Sequence, residues 1–209
     1  MAGIFITGAS GMLGMYLASS LLAKKHKVIA VDSKPNDFVG KDPNYTFIQC
    51  DITDKGTISD LLYKHSSDIQ TMVHLACSVD NDIDSYVTDE EVKKSKITDK
   101  YIYEAAINAR VKSIILLSTT HVYGTPKGRE PIRETADTKG NSNYVDMKLN
   151  AEKMLMKEII ISNSYGHQTY MVQAAEQFPD VTFASMTGDF AALTGLPNFV
   201  NGFTKVFQS

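Results

Sequence analysis

Long hydrophobic runs are missing from this sequence: nothing in it approaches the about 20 consecutive apolar residues of a membrane-crossing helix. Neither sign of charge dominates either. Its 21 basic and 24 acidic residues give a net charge of -3 and a pI near 5.9, which offers no basic face to a phosphate backbone. The pairs Lys24-Lys25 and Lys93-Lys94 read as solvated helix surface. Neither nucleic acid nor membrane is expected as a partner. Two cysteines, Cys50 and Cys77, are too few for a disulfide framework, and each lies in or beside an apolar run, as reduced core thiols do. No His/Cys/Asp cluster has metal-ligand spacing, so no metal is expected. The acidic stretch Asp80–Asp84 lacks the glycine and the distal glutamate of a calcium loop and reads as solvated loop. His26 lies between lysines and His65 ends a helical pattern, so both are expected to be exposed. Met1 leads almost directly into the first apolar run without a charged leader region, which predicts no signal peptide and a cytoplasmic protein.

What is present is the composition of an ordinary globular domain, with 43 % hydrophobic and 22 % charged residues in a chain of 209. Short β-branched runs predict strands at Gly3–Thr7, Lys27–Val31, Thr46–Cys50, Thr71–Ala76 and Ser113–Ser118. Helical spacing predicts helices over Gly11–Lys25, Thr57–His65, about Glu90–Ala109 and Tyr144–Glu158. Such alternation predicts an α/β fold with a Rossmann-like doubly wound parallel sheet. The longest irregular piece is Gly124–Asn143.

The segment Thr7-Gly-Ala-Ser-Gly-Met-Leu-Gly14 follows a predicted strand and opens a predicted helix. Glycines in that context let the backbone turn tightly and let a pyrophosphate approach the free N–H groups at the helix start. A tight strand-to-helix turn with no ligand would use the same residues. The second strand ends at Val31-Asp32, where an acidic side chain can accept hydrogen bonds from the adenosine ribose hydroxyls. An acid there repels a 2′-phosphate, so NAD is expected rather than NADP.

With spacing Gly-x-x-Gly-x-x-Gly, the turn resembles that of the extended short-chain dehydrogenases/reductases, the group of nucleotide-sugar epimerases and dehydratases. Further stretches match: Cys50-Asp51-Ile52-Thr53-Asp54 after strand three, His74-Leu75-Ala76 in strand four, Ser118-Thr119-Thr120-His121-Val122-Tyr123-Gly124, and Tyr144-Val-Asp-Met-Lys148. The resemblance covers residues 1 to about 157, expected to form an NAD-binding domain. It implies that Gly8, Gly11, Met12, Leu13, Gly14, Asp32, Asp51, Ile52, Leu75 and Ala76 bind NAD, with Asp51 and Ile52 at the adenine. It implies a catalytic set of Thr119, Tyr144 and Lys148 acting on a nucleotide sugar.

Tyr144 and Lys148 are four residues apart, so both side chains leave one face of a helix. A phenol is a poor base at neutral pH, and a neighbouring ammonium favours the phenolate. In the family's mechanism Lys148 also holds the nicotinamide ribose. Tyr144 takes a proton from a substrate hydroxyl as hydride leaves the same carbon, and Thr119 positions that hydroxyl. The alternative is an amphipathic core tyrosine beside a lysine whose stem lies along the surface. Where the family shows a supporting Asn in its fourth helix, this chain has Ser95 between lysines, which places a relay through that position in doubt.

After Lys157 the text changes. Residues 158–209 are expected to form a strand (Glu158–Ser162), a helix (His167–Phe178) and a strand (Val181–Thr187) in place of a substrate domain. This tail resembles a fragment of the basic-membrane-protein type of nucleoside-binding lipoproteins that serve ABC importers, through Ser164-Tyr-Gly, Pro179-Asp-Val and Asn198-Phe. The alternative is a divergent segment of the dehydrogenase itself. Three functions stay open: an NAD-dependent epimerase/dehydratase, a truncated or chimeric NAD-binding module without turnover, and an importer-type nucleoside-binding fragment. Family members often dimerise through their two long helices, here about Glu90–Ala109 and Tyr144–Glu158, so a homodimer is one expectation. Apolar residues on those helices facing their own sheet are the other.

Overall fold

The computed structural model of the protein describes residues 2–36, 40–77, 87–124, 136–140, 142–162 and 170–171. Strand β1 (Gly3–Thr7) feeds helix α1 (Met12–Ala23), and β2 (Lys27–Asp32), β3 (Tyr45–Gln49) and α2 (Lys55–Lys64) follow. Next come β4 (Thr71–His74), α3 (Asp89–Asn108), β5 (Ser113–Leu116), a 3-10 turn (Thr120–Tyr123), α4 (Asn143–Ser162) and a short β6 (Tyr170–Met171). All pairings are parallel, in the order β3-β2-β1-β4-β5-β6. In a sheet of this order the winding reverses between β1 and β4 and opens a crevice beyond the strands' C-terminal ends.

The central strands are apolar on both faces because helices cover both. Phe5, Ile29, Val31, Met72, Ile114 and Leu116 point to one side, against Ile58 and Leu62 of α2, Tyr101, Ile102 and Ala105 of α3, and Leu155 of α4. Ile4, Ile6, Val28, Ala30, Val73 and Ile115 point to the other, against Leu17, Ala18, Leu21 and Leu22 of α1. Side-chain caps start three of the helices: at the head of α4 the Ser142 hydroxyl accepts from the Val145 amide at 3.3 Å. Asp54 accepts from the Thr57 amide at 3.1 Å at the head of α2, and Thr88 and Glu91 form a capping box at the head of α3.

The expected strands and helices down to α4 are all present, β1 as expected, the others with ends shifted by one or two residues except the end of α4, which runs four residues further, to Ser162. Two of those shifts matter. Strands β4 and β5 leave the ladder at His74 and Leu116, two residues before the expected ends, so Leu75–Ala76 and Leu117–Ser118 become loop at the crevice.

At residues 158–162 and 170–171 the expectation fails. Residues 158–162 are the last turns of α4 rather than a strand, so the expected boundary between 157 and 158 falls inside a helix. Three consecutive isoleucines favour a strand by propensity, but nothing breaks the helix before them, and extending a formed helix adds a hydrogen bond per residue with no new nucleation cost. Tyr170 and Met171, expected in a helix, pair instead with Ile115 and Leu116, where the open edge of β5 supplies backbone partners. The expected strand at 181–187 and the rest of the tail lie outside the described residues, as does Asp80–Asp84.

His26 is also not exposed as expected: it is 7 % accessible. Lys25 takes the left-handed conformation at φ +64°, and the His26 amide bonds back to the Leu21 carbonyl at 3.0 Å. This Schellman turn swings His26 under β1, where its Nδ1 accepts from the Ala2 amide at 3.3 Å and burial lowers its pKa. His65 is half-buried. Lys24, Lys25, Lys93 and Lys94 are exposed, Cys50 is buried, and both thiols are free.

A glycine pair tests the packing of α1. A Cβ on Gly14 would stand 2.3 Å from the Gly8 carbonyl oxygen and 2.6 Å from Ala9 Cα, whereas one on Gly56 of α2 meets nothing closer than 3.5 Å. Gly14→Ala should cost about 2–3 kcal/mol in urea unfolding. Gly56→Ala should be neutral or stabilise by up to about 1 kcal/mol.

Candidate functional site

The crevice is built from the ends of five neighbouring strands. At the end of β1, Gly8 has φ +73°, and a Cβ there would lie 2.6 Å from the Ala76 nitrogen and 2.9 Å from the Leu75 carbonyl carbon. Only glycine lets the backbone turn here while touching the chain beyond β4. Gly14 serves closeness of a second kind, seating the first turn of α1 on the Gly8–Ala9 backbone. Gly11 differs from both: a Cβ on it would meet only the Gly8 oxygen, at 3.3 Å. It is the N-cap of α1, in extended conformation, with no side-chain cap and no acidic residue in the turn after it.

Helix geometry leaves the amides of Met12, Leu13 and Gly14 without intrahelical acceptors. The positive end of α1 therefore opens on the crevice with donors for an anion. Met12 is 44 % exposed at this point, while the Leu13 side chain packs into the core, so Leu13 brings its amide to the site.

Asp32 closes the adjacent side. Its carboxylate accepts from the Ser10 amide at 2.9 Å and the Lys34 amide at 2.9 Å, which ties the end of β2 to the glycine turn. The Ser10 hydroxyl donates to the Lys34 carbonyl at 2.8 Å, and Asn36 donates to the Ala9 carbonyl at 2.9 Å. The Cys50 amide donates to the Asp32 carbonyl at 2.8 Å, bringing the next two residues alongside. Asp51 is exposed and accepts from the Thr53 amide at 2.8 Å. Ile52 is a core residue, 8 % accessible, whose carbonyl takes the Tyr101 hydroxyl. Its side chain packs in the core cluster with Ile58 and Tyr101.

On the other side of the winding reversal, Lys148 of α4 donates from Nζ to the Leu117 carbonyl at 3.1 Å. Its ammonium lies 5.9 Å from the centroid of the Tyr144 ring, one helical turn back. Thr119, two residues past Leu117, caps the 3-10 turn: its hydroxyl oxygen accepts from the His121 amide at 3.4 Å. Tyr144 packs beside Val122 of that turn and also against the cluster holding Cys77, Val87 and Met147. Thr119, Tyr144 and Lys148 thus share one region through the β5 end and its turn.

Three further residues of the region, Glu152, Thr7 and Asp99, carried no expectation. Ser118 donates to Glu152, one turn beyond Lys148, so consecutive residues Leu117 and Ser118 are each bound by α4. Beneath the crevice, Thr7 and His74 meet at 2.7 Å between Thr7 Oγ1 and His74 Nδ1, and His74 Nε2 lies 3.3 Å from Asp99. Ser95, the position in doubt, is 3 % accessible and donates to Asp99 at 3.3 Å. Ser95 and Asp99 bond at i, i+4 on α3, and Lys148 and Glu152 stand at the same spacing on α4, a signal the sequence did carry.

Fold and site together define a doubly wound α/β domain whose α1 terminus opens free amides on the crevice beside the Asp32 carboxylate. The NAD dependent epimerase/dehydratase family model matches residues 4–168, and the chain belongs to that family. The match runs past residue 157. A 3 beta-hydroxysteroid dehydrogenase/Delta 5-->4-isomerase of vaccinia virus is 26 % identical over 165 residues, covering 75 % of this chain and 46 % of its own length. A dTDP-D-glucose 4,6-dehydratase of Dictyostelium discoideum is 28 % identical over 182 residues, with coverage of 82 % and 39 %. The chain thus spans less than half the length of these relatives. Among solved structures, the UDP-glucose 4-epimerase of Bifidobacterium longum in complex with NAD+ and UDP superimposes with a TM-score of 0.66. It is 24 % identical, and the match covers 81 % of this chain and 52 % of that one, which shows a shared fold.

Glu152 offers a direct check of the link between α4 and β5. Glu152→Ala leaves the Ser118 hydroxyl without its acceptor and should cost about 1–3 kcal/mol in urea unfolding. Glu152→Gln keeps an acceptor oxygen and should cost less than half as much.

Proposed function

We propose that the protein is an NAD-dependent oxidoreductase of the epimerase/dehydratase type, acting on a nucleotide sugar by hydride transfer to and from NAD. One observation carries the reading. Tyr144 and Lys148 share a face of α4, and Lys148 is held on the Leu117 carbonyl, at the same sheet end as Gly8 and Asp32.

The amides following Gly11 hold the pyrophosphate, with Gly8 and Gly14 keeping the backbone low enough for its approach. Asp32 accepts from the adenosine ribose through lone pairs that the Ser10 and Lys34 amides leave open. Asp51 and the Ile52 backbone border the adenine, and Leu75 and Ala76 line the wall between the two halves. Of the three donors on the Lys148 ammonium, one is committed to Leu117, which leaves two for the nicotinamide ribose hydroxyls. Bound in this crevice, the nicotinamide supplies the hydride acceptor and, on the return step, the donor. Tyr144 removes the proton of the substrate hydroxyl, and Thr119 holds that hydroxyl in place.

Oxidation of a secondary alcohol is chemistry that a steroid dehydrogenase and a sugar epimerase can share. The sugar assignment draws on the dehydratase relative and the UDP-bound neighbour. We read the first part of the tail as dehydrogenase sheet, because β6 adds in parallel to β5 and the family match extends to residue 168.

Calorimetric titration of the 209-residue chain should give NAD a dissociation constant on the order of micromolar, with NADP weaker. Asp32→Ala should weaken NAD about tenfold. A folded chain that binds no NAD would overturn the proposal. Tyr144→Phe should keep NAD affinity yet lower turnover of a UDP- or dTDP-hexose by about 10²–10⁴-fold. Oxidation of a 3β-hydroxysteroid alone, in the same assay, would reverse the substrate assignment.

A further inference from the structure

Where α4 begins, its first residue reaches out of the helix. Asn143 donates from Nδ2 to the Val87 carbonyl at 2.8 Å and to the Asp89 carboxylate at 2.8 Å, which ties the head of α4 to the head of α3. A carbonyl and a carboxylate only accept, so the amide nitrogen must face them, and both of its hydrogens are in use. The next residue in the chain is Tyr144.

The α3 side of this clamp is itself fixed. Thr88, between the two accepting residues, closes the capping box of α3: its amide donates to Glu91 at 2.7 Å, and the Glu91 amide donates to its hydroxyl oxygen at 3.2 Å. Val87 is 9 % accessible, and its side chain shares a cluster with Met147 and Tyr144. Its carbonyl and its side chain thus both hold the first turns of α4.

A tie between elements does what a cap cannot. The Ser142 hydroxyl accepts from the Val145 amide, and the Ser142 carbonyl accepts from the Asp146 amide at 2.9 Å. Both bonds keep the turn helical, but neither sets where the turn stands against the rest of the sheet. One turn on, Lys148 is tied to β5 through the Leu117 carbonyl. Tyr144 therefore lies between two ties, Asn143 to α3 and Lys148 to β5. Helix termini open more readily than helix centres, and misplacing a reacting group by about 1 Å costs up to about 10²-fold in rate.

We propose that Asn143 is a positioning residue for Tyr144: by clamping the head of α4 to Val87 and Asp89, it sets where the phenol stands relative to Lys148 and Thr119. The inference rests on the reading of Tyr144 as the group that takes the substrate proton. It adds that α3, which supplies no strand end to the crevice, takes part in aiming that group.

The test exchanges the partners. Asn143→Asp sets a carboxylate against the Asp89 carboxylate and the Val87 carbonyl, and Asp89→Asn added to it restores a donor and an acceptor between the two heads. At saturating NAD and UDP- or dTDP-hexose, kcat should fall about tenfold in Asn143→Ala and about thirtyfold in Asn143→Asp, and the double variant should return to within about fivefold of the wild type. NAD affinity, read by calorimetry, should move by less than about twofold in all three. Hydrogen exchange of the Val145 and Asp146 amides, read without cofactor or substrate, should be about tenfold faster in Asn143→Ala. Wild-type kcat in Asn143→Ala, or a double variant no better than Asn143→Asp, overturns the inference and leaves the proposed function standing. Equal losses of kcat and NAD affinity in Asn143→Ala show a general disturbance of the fold and overturn it as well. A wild type that turns over neither hexose overturns the proposed function and, with it, the role given to Asn143. Should the Asn143 variants not fold, Asp89→Ala, which keeps the Val87 bond, decides: kcat about threefold lower is expected, and no change overturns the inference.

Discussion

One close approach governs the site. The backbone at Gly8 lies so near Ala76 that no side chain fits between them, and this contact joins the two strands flanking the winding reversal. Because β1 and β4 meet there, the helix that follows β1 starts directly over the crevice and points its free amides into it. Gly14 extends the same constraint by one turn, since α1 can descend onto the Gly8–Ala9 backbone only where no Cβ intervenes. Loosening the approach would lift the α1 terminus and separate its free amides from the carboxylate of Asp32.

The two halves of the sheet then divide the work. On the β1–β3 side, contacts run from backbone amides to one carboxylate: Asp32 gathers Ser10 and Lys34 and carries the Cys50 loop with it. On the β4–β5 side, long side chains of α4 reach over the strand end, Lys148 to Leu117 and Glu152 to Ser118. Both arrangements exist because parallel strands stop at one level, so neighbouring loops emerge side by side and can be tied laterally. A charged group tied to a loop carbonyl also loses rotamer freedom before any ligand arrives, which lowers the ordering cost of binding.

Much of this was legible in the chain. Apolar runs at β1, β2 and β4 are long enough and β-branched enough to declare a doubly covered sheet, and the glycine turn followed by Asp32 marks the end at which its crevice opens. His26 and the stretch 158–162 were not legible, for different reasons. The burial of His26 follows from a left-handed Lys25, a conformation with no strong sequence signal outside glycine and asparagine. The helical state of 158–162 follows from continuity with α4, against the local preference of its isoleucines.

Sequence by itself determined which residue types stand at the strand ends and which faces of the helices are apolar, because both depend on spacing along one chain. Only the tertiary structure decided that Ser95, bracketed by lysines, turns inward, that Asp99 meets His74, and that the Ile52 side chain serves the core rather than the crevice. The physical reason is that a polar side chain is buried only where a partner from another element satisfies it, and that partner is fixed by packing across the sheet rather than by neighbours in sequence.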